Sequence, residues 1–485
     1  MNIGFDSKKY IEIQSEKIKQ RIKMFGGKLY LEFGGKLVDD YHAMRVLPGF
    51  EPDIKIRMLE KLKDEAEVIF CINANDIVRK KIRADHAISY DKEVLRLIEY
   101  LRSIDISINS VVITLYNGQV GIEKFRDKLK QCKVQSYIHT FTKGYPTDID
   151  TIVSEEGYGA NPYIVTTKPL VVVTAPGPCS GKLGTCLSQL YHEYKNGVKA
   201  GYAKFETFPV WDLPINHPVN VAYEAATADL KDKNMIDFFH LEKYGVKAIN
   251  YNRDLEVFPV LKDILHRITN EDIYFSPTDM GVNVIGKCIS DDKVVSEAAK
   301  NEIIRRYYRA LNDYKTSIGD IEACESIKLL MNQLGISEKD RKVVAYALEK
   351  KEKSLENAVA IELQDGKIIT GRKTELLSPT SAAFINAIKY INKIPDDVHL
   401  LAPSVIMPMI EVNKKVLSKV DSVLELDQVL IALSICSVTN PIVKGAMDNF
   451  DKLNGAEAHS TYIVPRRDLE VFNNLKINLT SEAEF

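Results

Sequence analysis

The sequence predicts an α/β protein with a mostly parallel, doubly wound sheet, followed by a helical connector and a smaller C-terminal α/β domain. The first observation is that short, apolar, β-branched runs alternate with helical segments at spacings that suit parallel crossovers. The second is a glycine-rich loop that joins one of these runs to a helix. The third is length, because 485 residues exceed what one hydrophobic core usually organises. We expect residues 1–290 to form the sheet domain, 291–357 the connector and 358–485 the smaller domain.

The elements of the first domain follow from apolar periodicity and from the turn residues between them. In chain order, we predict a helix at 5–24, a strand at 28–33, a helix at 53–66, a strand at 67–72, a helix at 92–103, a strand at 110–115, a helix at 122–131, strands at 134–140 and 170–173, and a helix after Gly184. Sites in such sheets lie beyond the carboxyl ends of the strands, here residues 34–35, 73–76 and 177–181. The glycine pair at 34–35 is interpreted as a hairpin turn in preference to a ligand loop.

The segment 169–193, PLVVVTAPGPCSGKLGTCLSQLYHE, is the main candidate for a ligand site. A strand, a glycine-rich loop and a helix place free N–H groups and the positive end of a helix dipole at one point, which attracts phosphate. The match to the standard phosphate loop is partial, because Pro176 stands five residues before Gly181 and Leu183 follows Lys182. An ordinary strand-to-helix turn is the alternative. The predicted cofactor-binding residues of the 174–186 loop are Gly177, Cys179, Ser180, Gly181, Lys182, Gly184 and Thr185.

A second candidate region runs from residue 206 to residue 254 and is rich in carboxylates and aromatic residues. Few of these residues follow an amphipathic period, so we expect a long polar loop beside the site. Its side chains could complete a metal shell or act as a general base, although no HxH or HExxH spacing indicates zinc. For each residue the alternative is a helix cap or a surface charge. The predicted catalytic residues are Lys182, Glu206, His217, Glu224 and Asp229.

The loop chemistry favours an enzyme that binds a nucleotide or a phosphorylated metabolite through Lys182 and the loop N–H groups. The sequence leaves the cofactor open, with ATP or another nucleotide and Mg²⁺ as the candidate. In that case the hydroxyl group of Ser180 or Thr185 would meet the metal ion.

Two other hypotheses come from different classes of protein. Cys179 could be a covalent nucleophile, since thiol pKa values fall at helix N-termini, with His192 or His217 as its base. The third hypothesis is a non-catalytic metabolite sensor or oligomeric scaffold. In that case the helices between residues 292 and 357 would pair protomers, and we expect a homo-oligomer.

The composition of the chain indicates which partners and which cellular compartment to expect. The net charge is -2, from 65 basic and 67 acidic residues, which gives no electrostatic footprint for nucleic acid. The sequence shows neither a signal pattern nor an apolar run of membrane-spanning length. Seven cysteines without a CxxC pair are typical of a reducing compartment. We therefore expect a cytoplasmic protein with a small phosphate-bearing ligand, and neither nucleic acid nor membrane as partner.

The last part of the chain has a different pattern. Residues 358–371 alternate on both sides of Asp365 and Gly366, which predicts a β-hairpin. Helices are predicted at 381–390 and 426–438, and a short strand at 462–464. Cys436 lies in the second of these helices and is interpreted as core packing.

Distinctive segments of the chain resemble the bacterial domain-of-unknown-function family 1846. They are TAPGPCSGKLGTCLSQLYHE (174–193), KFETFPVWDLPINHPVNVAYEAATADL (204–230), NYNRDLEVFPVL (250–261), LSICSVTNP (433–441) and EAHST (457–461). The resemblance spans essentially the whole chain. It implies a Rossmann-like or phosphate-loop-like first domain and a smaller α/β second domain. Some members have been labelled ATP-dependent peptidases, and the resemblance brings no catalytic residues to this sequence.

Overall fold

The computed structural model describes residues 3–35, 37–38, 40–83, 88–417 and 422–484. They fold into two units, which we call the N-terminal unit (Asn2–Glu224 and Asp232–Ala299) and the C-terminal unit (Ala225–Lys231 and Lys300–Phe485). The three-part division at residues 290 and 357 stays a prediction.

A seven-stranded parallel sheet forms the centre of the N-terminal unit. The strands of this unit are β1 (Leu29–Phe33), β2 (Ala66–Asn73), β3 (Ile82–Arg83), β4 (Ile88–Ser89), β5 (Ser107–Thr114), β6 (Gln135–Ile138), β7 (Leu170–Thr174), β8 (Gly201–Phe205), β9 (Asn234–Ile236), β10 (Ile249–Tyr251) and β11 (Gly281–Val282). The large sheet has the order β11-β8-β1-β7-β2-β5-β6, with every neighbour parallel. The predicted doubly wound α/β class is therefore confirmed.

Helices lie between these strands along the chain. Those that begin in the N-terminal unit are α1 (Ser7–Met24), α2 (Tyr41–Val46), α3 (Ile54–Lys61), α4 (Ala74–Val78), α5 (Tyr90–Ser103), α6 (Ile122–Gln131), α7 (Ile149–Ile152), α8 (Lys182–Lys195), α9 (Pro218–Ala226), α10 (Phe238–Tyr244), α11 (Asn252–Thr269), α12 (Pro277–Met280) and α13 (Asp292–Lys315). The central strands β1 and β7 are buried along their whole length. This burial explains their continuous apolar sequence, because a parallel sheet is covered on both faces.

The order of the strands reverses between β1 and β7. The strand that follows β1 is β2, on the far side of β7, whereas the strand that follows β7 is β8, on the far side of β1. The chain therefore leaves these neighbours in opposite directions, and a crevice at such a switch point is the usual ligand site of this architecture. The hairpin interpretation of Gly34 and Gly35 is wrong, because both neighbours of β1 run parallel to it.

The segment 206–254 is more regular than the long loop that the sequence predicts. It contains α9 and α10, together with a small antiparallel sheet made by β9 and β10. Short polar side chains stabilise these elements, since Asp237 accepts a hydrogen bond from the N–H of His240 at 3.0 Å and caps α10. Local capping of this kind is not visible as an amphipathic period.

The C-terminal unit has a smaller, mixed sheet. Its strands are β12 (Ala358–Glu362), β13 (Ile368–Arg372), β14 (Glu457–Ser460) and β15 (Asn478–Ser481), in the order β13-β12-β14-β15. Its helices are α14 (Ile321–Gln333), α15 (Lys342–Ser354), α16 (Pro379–Ile391), α17 (Pro403–Lys415), α18 (Leu426–Ser437), α19 (Pro441–Met447) and α20 (Arg466–Asn474). The predicted hairpin of β12 and β13 is confirmed.

The strand predicted at 462–464 is wrong, because the strand lies a few residues earlier and ends at Ser460. The hydroxyl group of Ser460 donates to the carbonyl of Tyr462 at 2.8 Å and accepts from its N–H at 3.3 Å, which turns the chain. Across the described part of the chain, no helix is both long and apolar enough to cross a membrane.

Candidate anion-binding site

The glycine loop connects the end of a central strand to the start of a long helix. β7 ends at Thr174, and α8 begins at Lys182 with Gly181 as its N-cap. Gly181 has a φ of 78°, and a Cβ atom there would lie 2.8 Å from Cβ of Thr114. Thr114 also donates its hydroxyl proton to the carbonyl of Ser180 at 2.7 Å. The end of β5 therefore fixes the loop, and only glycine fits at position 181.

The N–H groups of this loop face no protein acceptor. Among the described residues, no hydrogen bond is donated by the N–H of Gly177 or by those of residues 179–184, and the first one in the helix runs from Thr185 to Gly181 at 3.0 Å. Pro178 has no N–H to give. Unpaired N–H groups at the start of a helix carry the positive end of its dipole. The loop therefore presents several backbone N–H donors at a point of positive electrostatic potential.

Lys182 points into the protein beside these donors. Its side chain is 14% exposed, and its Nζ lies 3.8 Å from Oε1 of Glu32 on β1. Glu32 accepts a stronger hydrogen bond from the hydroxyl group of Tyr202, at 2.8 Å. The ammonium group thus lies at the crevice between β1 and β7, where its ion pair with Glu32 is loose.

A line of alternating charges continues from Glu32 to the end of β8. Lys204 is the register partner of Glu32 and forms ion pairs with Glu206 and with Asp254, the latter at 3.1 Å. Burial lowers the pKa of Lys204, but these two carboxylates and Glu32 outweigh it, so the net shift is upward. Burial raises the pKa of Glu206 to about 7, with Asp254 and Glu32 adding to the rise and Lys204 opposing it. Glu206 can therefore hold or release a proton near neutral pH.

The hydroxyl groups of the loop are engaged inside the protein. Ser180 is buried and donates to the carbonyl of Gly177 at 3.0 Å, and Thr185 is buried and accepts from the thiol of Cys71 at 3.4 Å. Both hydroxyl groups therefore have hydrogen-bond partners within the protein. No group of three or more His, Cys, Asp or Glu side chains in the described ranges is arranged to hold a metal ion.

The other two predicted glycines differ in their surroundings. A Cβ atom at Gly177 would lie 2.3 Å from the hydroxyl oxygen of Tyr90, so the backbone there passes tightly under α5. Gly184, in the first turn of α8, has open space where its Cβ would be. Close packing thus explains the glycine at 177, whereas nothing in the structure requires the one at 184.

Cys179 is exposed at the tip of the loop, with a φ of 55°. His192 lies ten residues after Lys182, the first residue of α8, which places it about 15 Å from the start of the helix at 1.5 Å per residue. Its ring forms a hydrogen bond with the carbonyl of Asn161 at 2.7 Å. His217 bonds Asp292 at 2.8 Å through its Nε2 atom. His192 is therefore remote from the thiol, and both ring nitrogens of His217 have protein partners, because its Nδ1 accepts from the N–H of Val219 at 3.2 Å.

The remaining predicted catalytic residues have local structural contacts. His217 accepts from the N–H of Val219 at 3.2 Å, near the start of α9. Glu224 accepts from the N–H of Asn234 at 3.1 Å, and burial raises its pKa. Asp229 is exposed in a short 3-10 turn of the C-terminal unit. Of the predicted catalytic set, Lys182 and Glu206 are joined through the charges around Glu32.

Sequence reasoning missed Glu32, Lys204, Asp254 and Thr114. Glu32 interrupts an otherwise apolar buried strand, and Lys204 does the same in β8. A charged residue one position before the carboxyl end of a buried strand was the available signal, because burying a lone charge is unfavourable.

The fold and site together define a two-unit α/β protein with a candidate anion site at the switch point of a parallel sheet. The chain belongs to the family described as domain of unknown function DUF1846, whose N-terminal model matches residues 3–335 and whose C-terminal model matches residues 339–485. It is 52% identical over 494 residues to a UPF0371 protein of Clostridium tetani (strain Massachusetts / E88), covering 100% of this chain and 98% of the relative. UPF0371 proteins of Clostridium botulinum strains Langeland and Okra are 53% identical with the same coverage. The resemblance drawn from the sequence motifs is confirmed.

Proposed function

We propose that the protein binds the phosphate group of a nucleotide or phosphorylated metabolite with the N–H groups of Gly177 and residues 179–184 and the ammonium group of Lys182. The observation that carries the proposal is the run of loop N–H groups without acceptors in the described structure, next to a largely buried lysine. Both lie at the switch point of the sheet, where ligands of this architecture bind.

The physical basis is charge complementarity at a fixed geometry. α8 has 14 residues, so its dipole is developed, and its first N–H groups point toward the loop. Each charge-assisted hydrogen bond to a phosphate oxygen contributes roughly 1.5–3 kcal/mol. Because Thr114 and Gly181 fix the loop before a ligand arrives, little ordering entropy is lost on binding.

We further propose that this phosphate-binding protein is a cytoplasmic enzyme. Glu206, which can exchange a proton near neutral pH, is connected to the phosphate-binding Lys182 through Glu32 and Lys204. A general acid or base with such a pKa is what proton transfer at pH 7 requires. All seven cysteines are free thiols, as expected in a reducing compartment.

Isothermal titration calorimetry tests the phosphate site directly. Wild type and Lys182→Ala are titrated with ATP, GTP, NAD and inorganic phosphate, after a thermal-shift screen that includes sugar phosphates. Loss of the ammonium group should weaken binding about tenfold or more. Lys195→Ala is the matched control, because Lys195 ends the same helix and pairs with the exposed Glu155. Equal affinity of wild type and Lys182→Ala, or no binding by either, would contradict the proposal.

A further inference from the structure

A groove in the C-terminal unit lies between the strand β13 and the helix α16. Its volume is about 550 Å³, which is within the range of cavities that hold small molecules. β13 is an edge strand of the four-stranded sheet, so only one of its sides is paired with another strand. Residues 368–370 line the groove on one side, and α16 with the turn after it lines the other. We call this space the β13–α16 groove.

Local contacts fix the two walls of the groove. At Gly371 the strand and the helix touch, because a Cβ atom there would lie 2.1 Å from the backbone nitrogen of Ala383. Further along both elements, the side-chain amide of Asn386 donates a hydrogen bond to the carbonyl of Thr370 at 2.9 Å. A ligand would therefore enter a groove whose walls are already connected, and little ordering entropy would be lost on binding.

Lys389 brings a positive charge to the groove without a counter-ion from the protein. The residue is only 8% exposed, and its ammonium group donates one hydrogen bond, to the carbonyl of Asp396 at 2.9 Å. It forms no ion pair with a carboxylate of the described residues. An ammonium group has three N–H donors, so two are left. Because a buried lysine is normally paired, the structure leaves a place for an anionic partner.

The helix itself offsets only part of this charge. Lys389 lies in the last turn of α16, where the helix dipole supplies about half of an elementary negative charge. Lys393, exposed just after the end of the helix, adds a second positive charge to the lining of the groove. An anionic group bound here would accept the remaining N–H donors of Lys389 and complete the compensation of its charge.

The other residues of the groove indicate the rest of the ligand. Ile369 and Ile394 line it with half-buried aliphatic side chains that also pack against the core of the unit. Asp396 lies at the rim, and Asp365 is close by, because it accepts a hydrogen bond from the hydroxyl group of Tyr390 at 3.1 Å. These two carboxylates would repel a doubly charged phosphate more than a singly charged group. A carboxylate with an aliphatic body therefore fits the groove best.

We propose that the β13–α16 groove binds a small aliphatic monocarboxylate. Its carboxylate would pair with the ammonium group of Lys389, and its hydrocarbon part would lie against Ile369 and Ile394. The proposal is independent of the phosphate site, which belongs to the N-terminal unit.

Ligand-observed NMR on the full chain tests this site with hexanoate as the probe. Wild type should bind hexanoate, and it should bind hexanamide, which has the same body without the charge, about tenfold or more weakly. Lys389→Met keeps the length of the side chain and removes the ammonium group, so it should weaken hexanoate binding by a similar factor. Lys444→Met is the matched control, because Lys444 is an exposed lysine on α19 of the same unit and does not line the groove.

The outcomes separate this site from the phosphate site. Lys182→Ala should bind hexanoate as wild type does, whether or not it has lost phosphate binding. Equal affinity of wild type for hexanoate and hexanamide would overturn the proposal, and this comparison needs no variant. Equal hexanoate affinity of wild type and Lys389→Met, or no binding by wild type, would overturn it as well.

Calorimetric melting provides a second test that does not depend on detecting weak binding. Without ligand, Lys389→Met should melt at the temperature of wild type or above it, because the variant loses a buried charge that has no counter-ion. Hexanoate should raise the melting temperature of wild type and leave that of the variant unchanged. A variant that melts well below wild type would contradict the proposal, since the protein itself would then already compensate the charge.

Discussion

Replacing Glu206 by glutamine should remove a pH dependence from the stability of the N-terminal unit. Glu206 is 9% exposed, and burial raises its pKa from 4.5 to about 7 in the folded protein. In the unfolded chain the same carboxyl group titrates near its ordinary value. The folded state therefore binds more protons than the unfolded state between these two values, and glutamine cannot titrate.

The sign and the size of the effect follow from this difference. Below about pH 4 the carboxyl group is protonated in both states, so its full contribution is present. As the pH rises, the unfolded chain ionises first and stability falls, until the folded carboxyl group also ionises above about pH 7. With 1.36 kcal/mol per pKa unit, wild type should lose about 2–3 kcal/mol more than Glu206→Gln between about pH 5 and pH 8.

The single tryptophan allows the stability of the N-terminal unit to be measured by fluorescence. Trp211 belongs to the same N-terminal unit as Glu206, so guanidinium unfolding followed by tryptophan fluorescence reports on the unit of interest. Unfolding curves of wild type and variant at about pH 5 and pH 8 give the double difference, in which titrating groups that do not interact with Glu206 cancel.

A matched variant separates burial from the simple loss of a charge. Glu99→Gln removes an exposed carboxylate from α5 in the same unit, and its stability should follow wild type at both pH values. Parallel pH profiles for wild type and Glu206→Gln would refute the reasoning, since they would mean that Glu206 is already ionised at about pH 5.

Two further predictions concern the loop. Gly181→Ala should lower the free energy of unfolding by about 1–3 kcal/mol, because its Cβ atom would collide with Thr114 at a positive φ. Gly184→Ala should raise the free energy of unfolding by about 0.5–1 kcal/mol, because position 184 is an open helical position. Unfolding followed by fluorescence compares the two variants, and equal effects would contradict this account. Iodoacetamide should modify Cys179 before Cys71, because Cys179 is exposed and burial raises the pKa of Cys71 to about 12. Peptide mass spectrometry follows the order, and earlier labelling of Cys71 would contradict it.

The features of the fold that depend on local pattern could be predicted from the sequence. The helix at 122–131 and the buried strands near 67–72 and 170–173 lie where apolar periodicity indicates them. Their parallel pairing follows from the lengths of the connections. The sequence also predicts that the loops after β1, β2 and β7 lie at the same edge of the sheet, because parallel strands present their carboxyl ends together.

Contacts between distant segments could not be predicted, and the candidate site depends on them. Glu32 meets Lys182 only because β7 is inserted beside β1, some 140 residues after it in the chain. The hydrogen bond from Thr114 to Ser180 likewise depends on sheet order. The strand predicted at 462–464 failed for a smaller reason, because a serine side chain can end a strand without any change in apolar pattern.

The loose pairing of Lys182 would connect the proposed phosphate site to the carboxyl group of Glu206. Its 3.8 Å separation from Glu32 exceeds the 2.7–2.9 Å of a charge-assisted hydrogen bond, so a phosphate would draw the ammonium group from a weak partner. Glu32 would keep its hydrogen bond from Tyr202 at 2.8 Å. Lys204 would then be the nearby positive charge that still offsets these carboxylates, and the weaker compensation favours the protonated form of Glu206. Phosphate binding and proton uptake are therefore expected to occur together at this edge of the sheet.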